Sequence, residues 1–158
     1  MVEKIMIVEP NIIPIEVLII EDNPADVDLV KEAFKDGKLT INLVVAVDGE
    51  EAMAYLRKEG EYKSVAIPDL VLLDLNMPIK NGFEVLDEMK QDPELRRIPV
   101  IIMTISKAEE DVLKSYNLHA NAYIVKPVEL NQFISAIKSV ENFWLTIVKL
   151  PPRLQTES

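Results

Sequence analysis

The sequence LVLLDLNMP, residues 70–78, combines an apolar run of strand length with a single acid, Asp74, at its end. Four more apolar runs have a similar length, and the segments between the runs show the apolar period of a helix. They span residues 17–20, 43–47, 100–103 and 122–125. Short apolar runs that alternate with helical segments are typical of a parallel sheet covered on both faces, so the sequence predicts an α/β fold with five buried strands.

The segments between the runs carry helix signals. Asn23, Pro24 and Asp26 supply an N-cap, a proline at the first helical position and an acid in the first turn. Turn residues such as Asn81-Gly82 separate the elements. The further helices are predicted at residues 49–58, 82–91, 107–116 and from 130 to about 148.

The predicted C-terminal helix is longer than the ~10 to 14 residues usual in globular proteins. One apolar stripe can cover the sheet, and a second group of apolar residues points elsewhere, namely Phe143, Ile147 and Leu150. Two interpretations of this second group remain open. Either the tail folds back on its own domain, or the region forms a homodimer.

Composition excludes several classes of function. The 158 residues suit one domain, and 17 basic against 27 acidic residues give a formal charge of −10, which disfavours nucleic-acid binding. The absence of cysteine excludes disulfides and thiolate metal sites and is compatible with the cytoplasm. No apolar run approaches the roughly 20 residues that cross a bilayer, so we expect no membrane association.

Polar side chains stand where the predicted strands end. Glu21 and Asp22 follow the first run, Asp74 the third, Thr104 the fourth and Lys126 the fifth. Any one of these residues alone could be polar only because a strand end is exposed to solvent. Because parallel strands end at the same edge of a sheet, we expect the whole set to converge where open α/β sheets bind ligands.

Three converging carboxylates would repel one another unless they share a cation, and a hard divalent ion such as Mg²⁺ prefers oxygen ligands. An aspartate can attack a phosphoryl group and form an acyl phosphate. The metal and Lys126 would offset the added charge, and the Thr104 hydroxyl would donate to a phosphoryl oxygen. The sequence thus predicts a phosphate-accepting Asp74 beside a metal site.

These motifs resemble the receiver domain of response regulators, as in the chemotaxis regulators. The likeness rests on residues 20–23, 72–78, 81–82, 103–104 and 125–127 and extends over residues 15–150. It implies a doubly wound, five-stranded parallel sheet in the flavodoxin-like order 2-1-3-4-5. Residues 1–14 would then be an N-terminal extension and residues 151–158 a C-terminal tail, with no output domain.

The resemblance also implies roles for individual residues. Asp74 would be phosphorylated by a sensor histidine kinase, and Mg²⁺ or Mn²⁺ would bind to Glu21, Asp22, Asp74 and the backbone carbonyl of Asn76. Thr104 and Tyr123 would form the switch pair. Lys126 would bind the phosphoryl group, and the bond between Lys126 and Pro127 would be cis. Such a domain is a signalling protein, not an enzyme beyond its own phosphorylation and dephosphorylation.

Subfamily detail points further, because residues 106–111, 116–123 and 143–151 are similar to stand-alone receivers that serve phytochrome-type histidine kinases. One position departs from the common pattern. Ile105 follows Thr104, where receivers more often carry a small residue, and its bulk is expected to narrow access to the site.

Residues 5–11 resemble a second copy of residues 17–23, but Pro10 stands where an acid is needed. We therefore take residues 17–20 as the first strand of the receiver. The first copy is interpreted as either an extra edge strand or a mobile arm.

Three rival functions fit the sequence less well. An aspartyl-phosphate phosphohydrolase places a second aspartate two positions after the nucleophile, where this chain has Asn76. A flavin carrier needs a hydroxyl- and glycine-rich phosphate loop, whereas Glu21 and Asp22 would repel the phosphate. A receiver that works unmodified, as a binding module only, is disfavoured because every phosphorylation residue is present.

Overall fold

The computed structural model describes residues 2–7, 14–35, 39–127, 129–144 and 151–152. Strands and helices alternate along the described chain, as the apolar runs predict. The strands are β1 Glu3–Ile7, β2 Ile15–Ile20, β3 Ile41–Ala46, β4 Leu70–Leu73, β5 Val100–Thr104 and β6 Ala122–Val125. The helices are α1 Pro24–Lys35, α2 Gly49–Leu56, α3 Gly82–Gln91, α4 Glu109–Asn117 and α5 Leu130–Asn142, with a short 3-10 turn at Gly60–Tyr62.

All six strands of the described residues belong to one sheet, in the order β1-β3-β2-β4-β5-β6. The strands β2 to β6 are parallel and lie in the predicted flavodoxin-like order. The predicted count of five was wrong, because the sheet has a sixth strand, β1, antiparallel to β3 with Glu3 opposite Val45 and Ile7 opposite Ile41. Residues 5–7 of the first copy therefore belong to an edge strand: the backbone of β1 pairs with an otherwise open edge of β3, and Ile7 is buried. The rest of that copy, residues 8–11, lies outside the described residues.

Apolar side chains fill both faces of the sheet, because successive residues of a strand point to opposite sides. On one face, Val17 and Ile19 of β2 contribute to a core with α1 and α5. On the other face, Leu18 and Ile20 contribute to a core with α2 and α3. The buried runs thus fix the positions of the strand ends.

The helix starts follow the predicted chemistry. The Asn23 side chain accepts a hydrogen bond from the backbone N–H of Ala25 at 2.9 Å, which caps α1. Asn81 and Glu84 form a reciprocal capping box at the start of α3. Helix α5 ends at Asn142 and continues as one wider turn through Phe143 and Trp144, and the predicted extension over residues 145–148 lies outside the described residues.

None of the helices in the described part of the chain has both the length and the apolar character needed to span a membrane.

Candidate phosphoacceptor site at the carboxyl edge of the sheet

Glu21 and Asp74 lie side by side because the strands that precede them are paired. Ile20 of β2 is opposite Leu73 of β4, and each acid is the next residue of its chain segment. The backbone continues the ladder by one step: the N–H of Glu21 donates to the carbonyl of Ala46 at 2.9 Å, and that of Asp74 donates to the carbonyl of Ile20 at 3.1 Å. The sheet therefore fixes the main chain under both carboxyl groups.

Glu21, Asp22 and Asp74 form a compact acidic cluster. One carboxylate oxygen from each residue lies within 4.8 Å of the others. Glu21 and Asp74 are buried, whereas Asp22 is exposed. An all-oxygen donor set that is open to solvent on one side fits a hard divalent cation, which keeps waters beside one or two carboxylates.

Lys126 enters the cluster from the end of β6, and its side chain is only 5% exposed. The Nζ atom donates to Asp26 Oδ2 at 2.7 Å, to Asp74 Oδ2 at 3.2 Å and to Glu21. The predicted contact of Lys126 with the acidic set is therefore present. Asp26, in the first turn of α1, is a further acceptor of Lys126, whereas its place in the sequence predicted only a helix-start acid.

Burial and charge act against each other on these groups. The pKa of Glu21 is raised to about 8, chiefly by burial and also by the neighbouring Asp74, while Lys126 opposes the shift. Burial lowers the pKa of Lys126, but its bonds to Asp26 and Glu21 and the charge of Asp74 outweigh this, so the net shift is upward. Lys126 therefore remains an ammonium group within a set of acids.

The loop that follows Asp74 is held close beneath the site. The backbone N–H of Asn76 donates to Asp74 Oδ1 at 3.3 Å, and the N–H of Gly82 donates to the carbonyl of Leu75 at 3.0 Å. A Cβ atom on Gly82 would lie 2.3 Å from the Asp74 carbonyl oxygen, a contact that would force the backbone apart. Glycine is required there by this close approach.

Thr104 is fully buried at the end of β5, and its Oγ1 is a buried polar atom that has no hydrogen-bond partner within the described structure. A buried hydroxyl without a partner is unfavourable, and it is a feature that a bound ligand can relieve. Leu73 of β4 is opposite Ile102 of β5. Asp74 comes one residue after Leu73 and Thr104 two residues after Ile102, so both lie at the same end of this strand pair.

The Tyr123 ring is half-buried, and its hydroxyl donates to the backbone carbonyl of Ser106 at 3.0 Å. Burial raises the pKa of Tyr123, and the charges of Asp111 and Asp74 add to the shift, against the bond to Ser106. The field of Asp74 thus extends to Tyr123. The Ser106 hydroxyl donates to Asp111 at 2.6 Å, which links this loop to α4.

Two details complete the site. The expected cis bond before Pro127 was wrong, because the bond between the described residues Lys126 and Pro127 is trans. The trans form is the lower-energy state of such a bond by about 0.5 to 1 kcal/mol, and the ion pairs of Lys126 form with it. Ile105 is 69% exposed beside the buried Thr104, and the expected narrowing of access to the site stays a prediction.

The comparisons with known proteins agree with this geometry. The family described as response regulator receiver domain matches residues 17–138. The response regulator Rcp1 of Synechocystis is 45% identical over 138 residues, which cover 87% of this chain and 94% of Rcp1.

Two solved structures are similar to this fold. The phosphorylated cyanobacterial phytochrome response regulator RcpA superimposes with a TM-score of 0.87 at 46% identity, covering 89% of this chain and 100% of RcpA. The Mn²⁺-bound form of Rcp1 gives a TM-score of 0.85 at 45% identity, covering 88% of this chain and 100% of Rcp1. With its acidic cluster, its buried lysine and these matches, the chain belongs to the response regulator receiver domain family.

Proposed function

We propose that Asp74 accepts a phosphoryl group from a sensor histidine kinase, and that the resulting change of conformation controls a partner protein. The observation that carries the proposal is the convergence of Glu21, Asp22, Asp74 and Lys126 at one edge of the sheet. Acids and an ammonium group in contact suit a carboxylate nucleophile whose product gains negative charge.

In the proposed reaction an oxygen of Asp74 attacks the phosphorus of a phosphohistidine. A P–O bond forms, the P–N bond breaks, and the leaving imidazole nitrogen takes up a proton. Asp74 becomes a mixed anhydride beside Lys126, whose Nζ is 3.2 Å from Asp74 Oδ2 before the reaction. That ammonium group can therefore reach an oxygen of the incoming group with little movement.

The residues present fit a divalent cation, Mg²⁺ or Mn²⁺. We propose that carboxylate oxygens of Glu21, Asp22 and Asp74 hold it together with the backbone carbonyl of Asn76. When bound, the ion would neutralise the charge that accumulates on the phosphoryl oxygens. The Mn²⁺-bound form of the similar protein Rcp1 supports this choice of ion.

Thr104 and Tyr123 are proposed as the switch. The Thr104 Oγ1 has a hydrogen bond to give, and a phosphoryl oxygen above Asp74 would accept it. Movement of Thr104 and its neighbour Ile105 would change the space next to the loop that holds the Tyr123 hydroxyl through Ser106. Release of Tyr123 would then alter the surface formed by α4 and β6.

The remaining parts of the proposal concern partners and boundaries. The likeness to RcpA, a cyanobacterial phytochrome response regulator, supports a phytochrome-type histidine kinase as partner. We also propose a cytoplasmic location, with which the absence of cysteine is compatible. We propose a receiver domain over residues 15–150, with residues 1–14 as extension and 151–158 as tail. A homodimer through the C-terminal helix region is supported by Phe143, which is 49% exposed next to Trp144; Ile147 and Leu150 lie outside the described residues.

The experiment for the main proposal is incubation with acetyl phosphate and Mg²⁺, followed by intact-mass measurement. The wild type should gain one phosphoryl group, and Asp74→Asn should gain none. Asp28→Asn is the matched control, since it removes an exposed carboxylate and should behave as the wild type. No adduct on the wild type, or an adduct that survives in Asp74→Asn, contradicts the proposal.

The dimer is tested separately by light scattering with and without beryllofluoride. A second copy predicts twice the monomer mass in at least one of the two states. A monomer in both states contradicts the dimer and leaves the phosphoacceptor proposal untouched.

A further inference from the structure

Asp26 is an unassigned member of the acidic site. It lies in the first turn of α1, one helical turn beyond Asp22, and its Oδ2 atom accepts a hydrogen bond from Lys126 Nζ at 2.7 Å across a separation of 100 residues. Its side chain is 20% exposed. The start of α1 is already capped by Asn23, so the inward contact of Asp26 is an additional interaction.

The donors of Lys126 are all in use. An ammonium group has three N–H bonds, and here they serve carboxyl oxygens of Glu21, Asp26 and Asp74. A phosphoryl oxygen that binds Lys126 must therefore displace one of these acceptors. The acceptor that holds Lys126 most strongly in its resting position therefore decides how easily the ammonium group moves to a phosphoryl oxygen.

The three acceptors differ in what a cation would do to them. Glu21 and Asp74 belong to the cluster that fits a metal ion, so a bound ion would offset their negative charge and weaken their attraction for Lys126. Asp26 is not in that cluster. It would keep its full charge, and it would become the main competitor for the ammonium group.

We propose that Asp26 is a positioning residue that holds Lys126 in the resting arrangement and competes with the phosphoryl group for its ammonium. This inference rests on the proposed function of Asp74. Burial lowers the pKa of Lys126, and the hydrogen bond to Asp26 is the largest of the interactions that raise it. This agrees with a strong ion pair between Lys126 and Asp26. Because of this competition, the contact between Lys126 and the phosphoryl group is less favourable than it would be if Asp26 did not bind Lys126.

Helix α1 offers a matched control for the charge. Asp28 lies two residues further in the same helix, its side chain is 74% exposed, and it pairs at 3.8 Å with Lys31. Asp26→Asn and Asp28→Asn therefore remove the same charge near the same helix end. Only the first removes an acceptor of Lys126.

The test is a titration of the wild type and both variants with beryllofluoride in the presence of Mg²⁺, followed by amide shifts. Asp26→Asn should bind about fivefold more tightly than the wild type, the scale expected for loss of a partly exposed ion pair, while Asp28→Asn should match the wild type. In urea with a chelator, Asp26→Asn should be less stable than the wild type. Tighter binding from a less stable protein is the signature of competition.

A merely structural Asp26 would give lower stability with unchanged or weaker beryllofluoride binding, and that result overturns the inference. Equal tightening in Asp28→Asn would overturn it as well, because it would trace the gain to net charge. The conservative variant Asp26→Glu, which keeps the carboxylate, should return the affinity towards the wild-type value.

A double-mutant cycle with Lys126→Ala isolates the pair. Without Lys126, the gain from Asp26→Asn should fall below about twofold, and a fivefold gain that persists would show that Asp26 acts without Lys126. Failure of the two proposals is distinguishable. No binding of beryllofluoride by the wild type contradicts the phosphoacceptor function, whereas binding by the wild type with no gain in Asp26→Asn contradicts only the role of Asp26.

Discussion

Two lysines with bound ammonium groups lie at opposite edges of the sheet, and their partners differ in charge. Lys126, at the carboxyl edge, donates to carboxyl groups of Glu21, Asp26 and Asp74. Lys90 of α3, near the amino ends of β5 and β6, donates to the carbonyl oxygens of Ile98 at 3.0 Å and Arg96 at 3.2 Å and to Asn121 Oδ1 at 3.4 Å. Burial lowers the pKa of Lys90, whereas the pKa of Lys126 is raised.

The difference teaches how a fold separates a structural from a functional cation. Around Lys90, neutral oxygens satisfy the donors and fix the loops before β5 and β6, and Asn121 Oδ1 also accepts from the N–H of Val100 at 2.8 Å. Around Lys126, the acceptors are carboxyl groups, which another cation can also bind. Only the second arrangement can be rearranged by a metal ion or a phosphoryl group.

The strongest way to break the comparison is Lys126→Ala. Without a cation, buried carboxyl groups are left uncompensated, so we expect the free energy of unfolding in a chelator to fall by about 3 kcal/mol or more. Mg²⁺ should restore much of the loss, because it supplies positive charge to the same acids. Urea unfolding with and without Mg²⁺ measures both quantities, and an equal loss in the two conditions would contradict the proposed metal site.

The pH dependence of the metal-free protein sharpens the comparison at the carboxyl edge. Because burial raises the pKa of Glu21 from 4.5 to about 8, the folded state binds a proton that the unfolded state releases between these values. The stability that protonated Glu21 contributes is complete below pH 4.5 and is lost as the pH rises to about 8. The value of about 8 already includes the opposing effect of Lys126, so the whole shift should appear in the pH dependence.

Urea unfolding in a chelator across this pH range measures the slope. Glu21→Gln, which cannot ionise, should flatten it. The same slope in Glu21→Gln would mean that another group is responsible.

Lys90→Met tests the amino edge. It keeps much of the apolar stem and removes the three hydrogen bonds, so we expect a loss of about 1 to 2 kcal/mol in the free energy of unfolding. The loss should be the same with and without Mg²⁺, and the reaction with acetyl phosphate should be unchanged. Lys63→Met, at an exposed position, is the control for the loss of charge. A loss that Mg²⁺ repairs would remove the distinction between the two lysines.

The smallest effect is expected for Ile105→Ala at the rim of the site. The side chain is exposed, so the free energy of unfolding should change by no more than about 0.5 kcal/mol. A smaller side chain beside Thr104 should leave the site more open, so the reaction with acetyl phosphate should be faster by less than tenfold. This corresponds to a decrease of less than about 1.4 kcal/mol in the activation free energy. Timed intact-mass measurements give the rate, and a slower reaction would contradict the view that Ile105 restricts access.

What the sequence could predict depends on how local the signal is. Glu21, Asp74 and Lys126 could be placed together because each ends an apolar run, and parallel strands end at one edge. Asp26 could not, since its contact with Lys126 spans 100 residues and its local position is explained by helix α1 alone. Lys90 was missed for a related reason, because two of its acceptors are backbone carbonyls, which leave no mark in the sequence.

The edge strand was only half predictable. The repeated motif marked residues 5–11 as strand-like, but pairing with β3 is a long-range choice that apolar pattern does not decide. Besides its pairing with β3, two side-chain contacts hold β1 and the residue before it in place. Glu3 pairs with Lys31 at 2.9 Å, and the N–H of Val2 donates to the Tyr62 hydroxyl at 3.3 Å.

This edge strand has a consequence for solubility. Every residue of β3 is buried, and without β1 its outer row of peptide groups would face water on a strand in which only Asn42 is polar. A shortened chain that begins at Pro14 would therefore expose a template on which strands of other molecules could pair. By covering this edge, β1 is expected to prevent self-association by sheet extension.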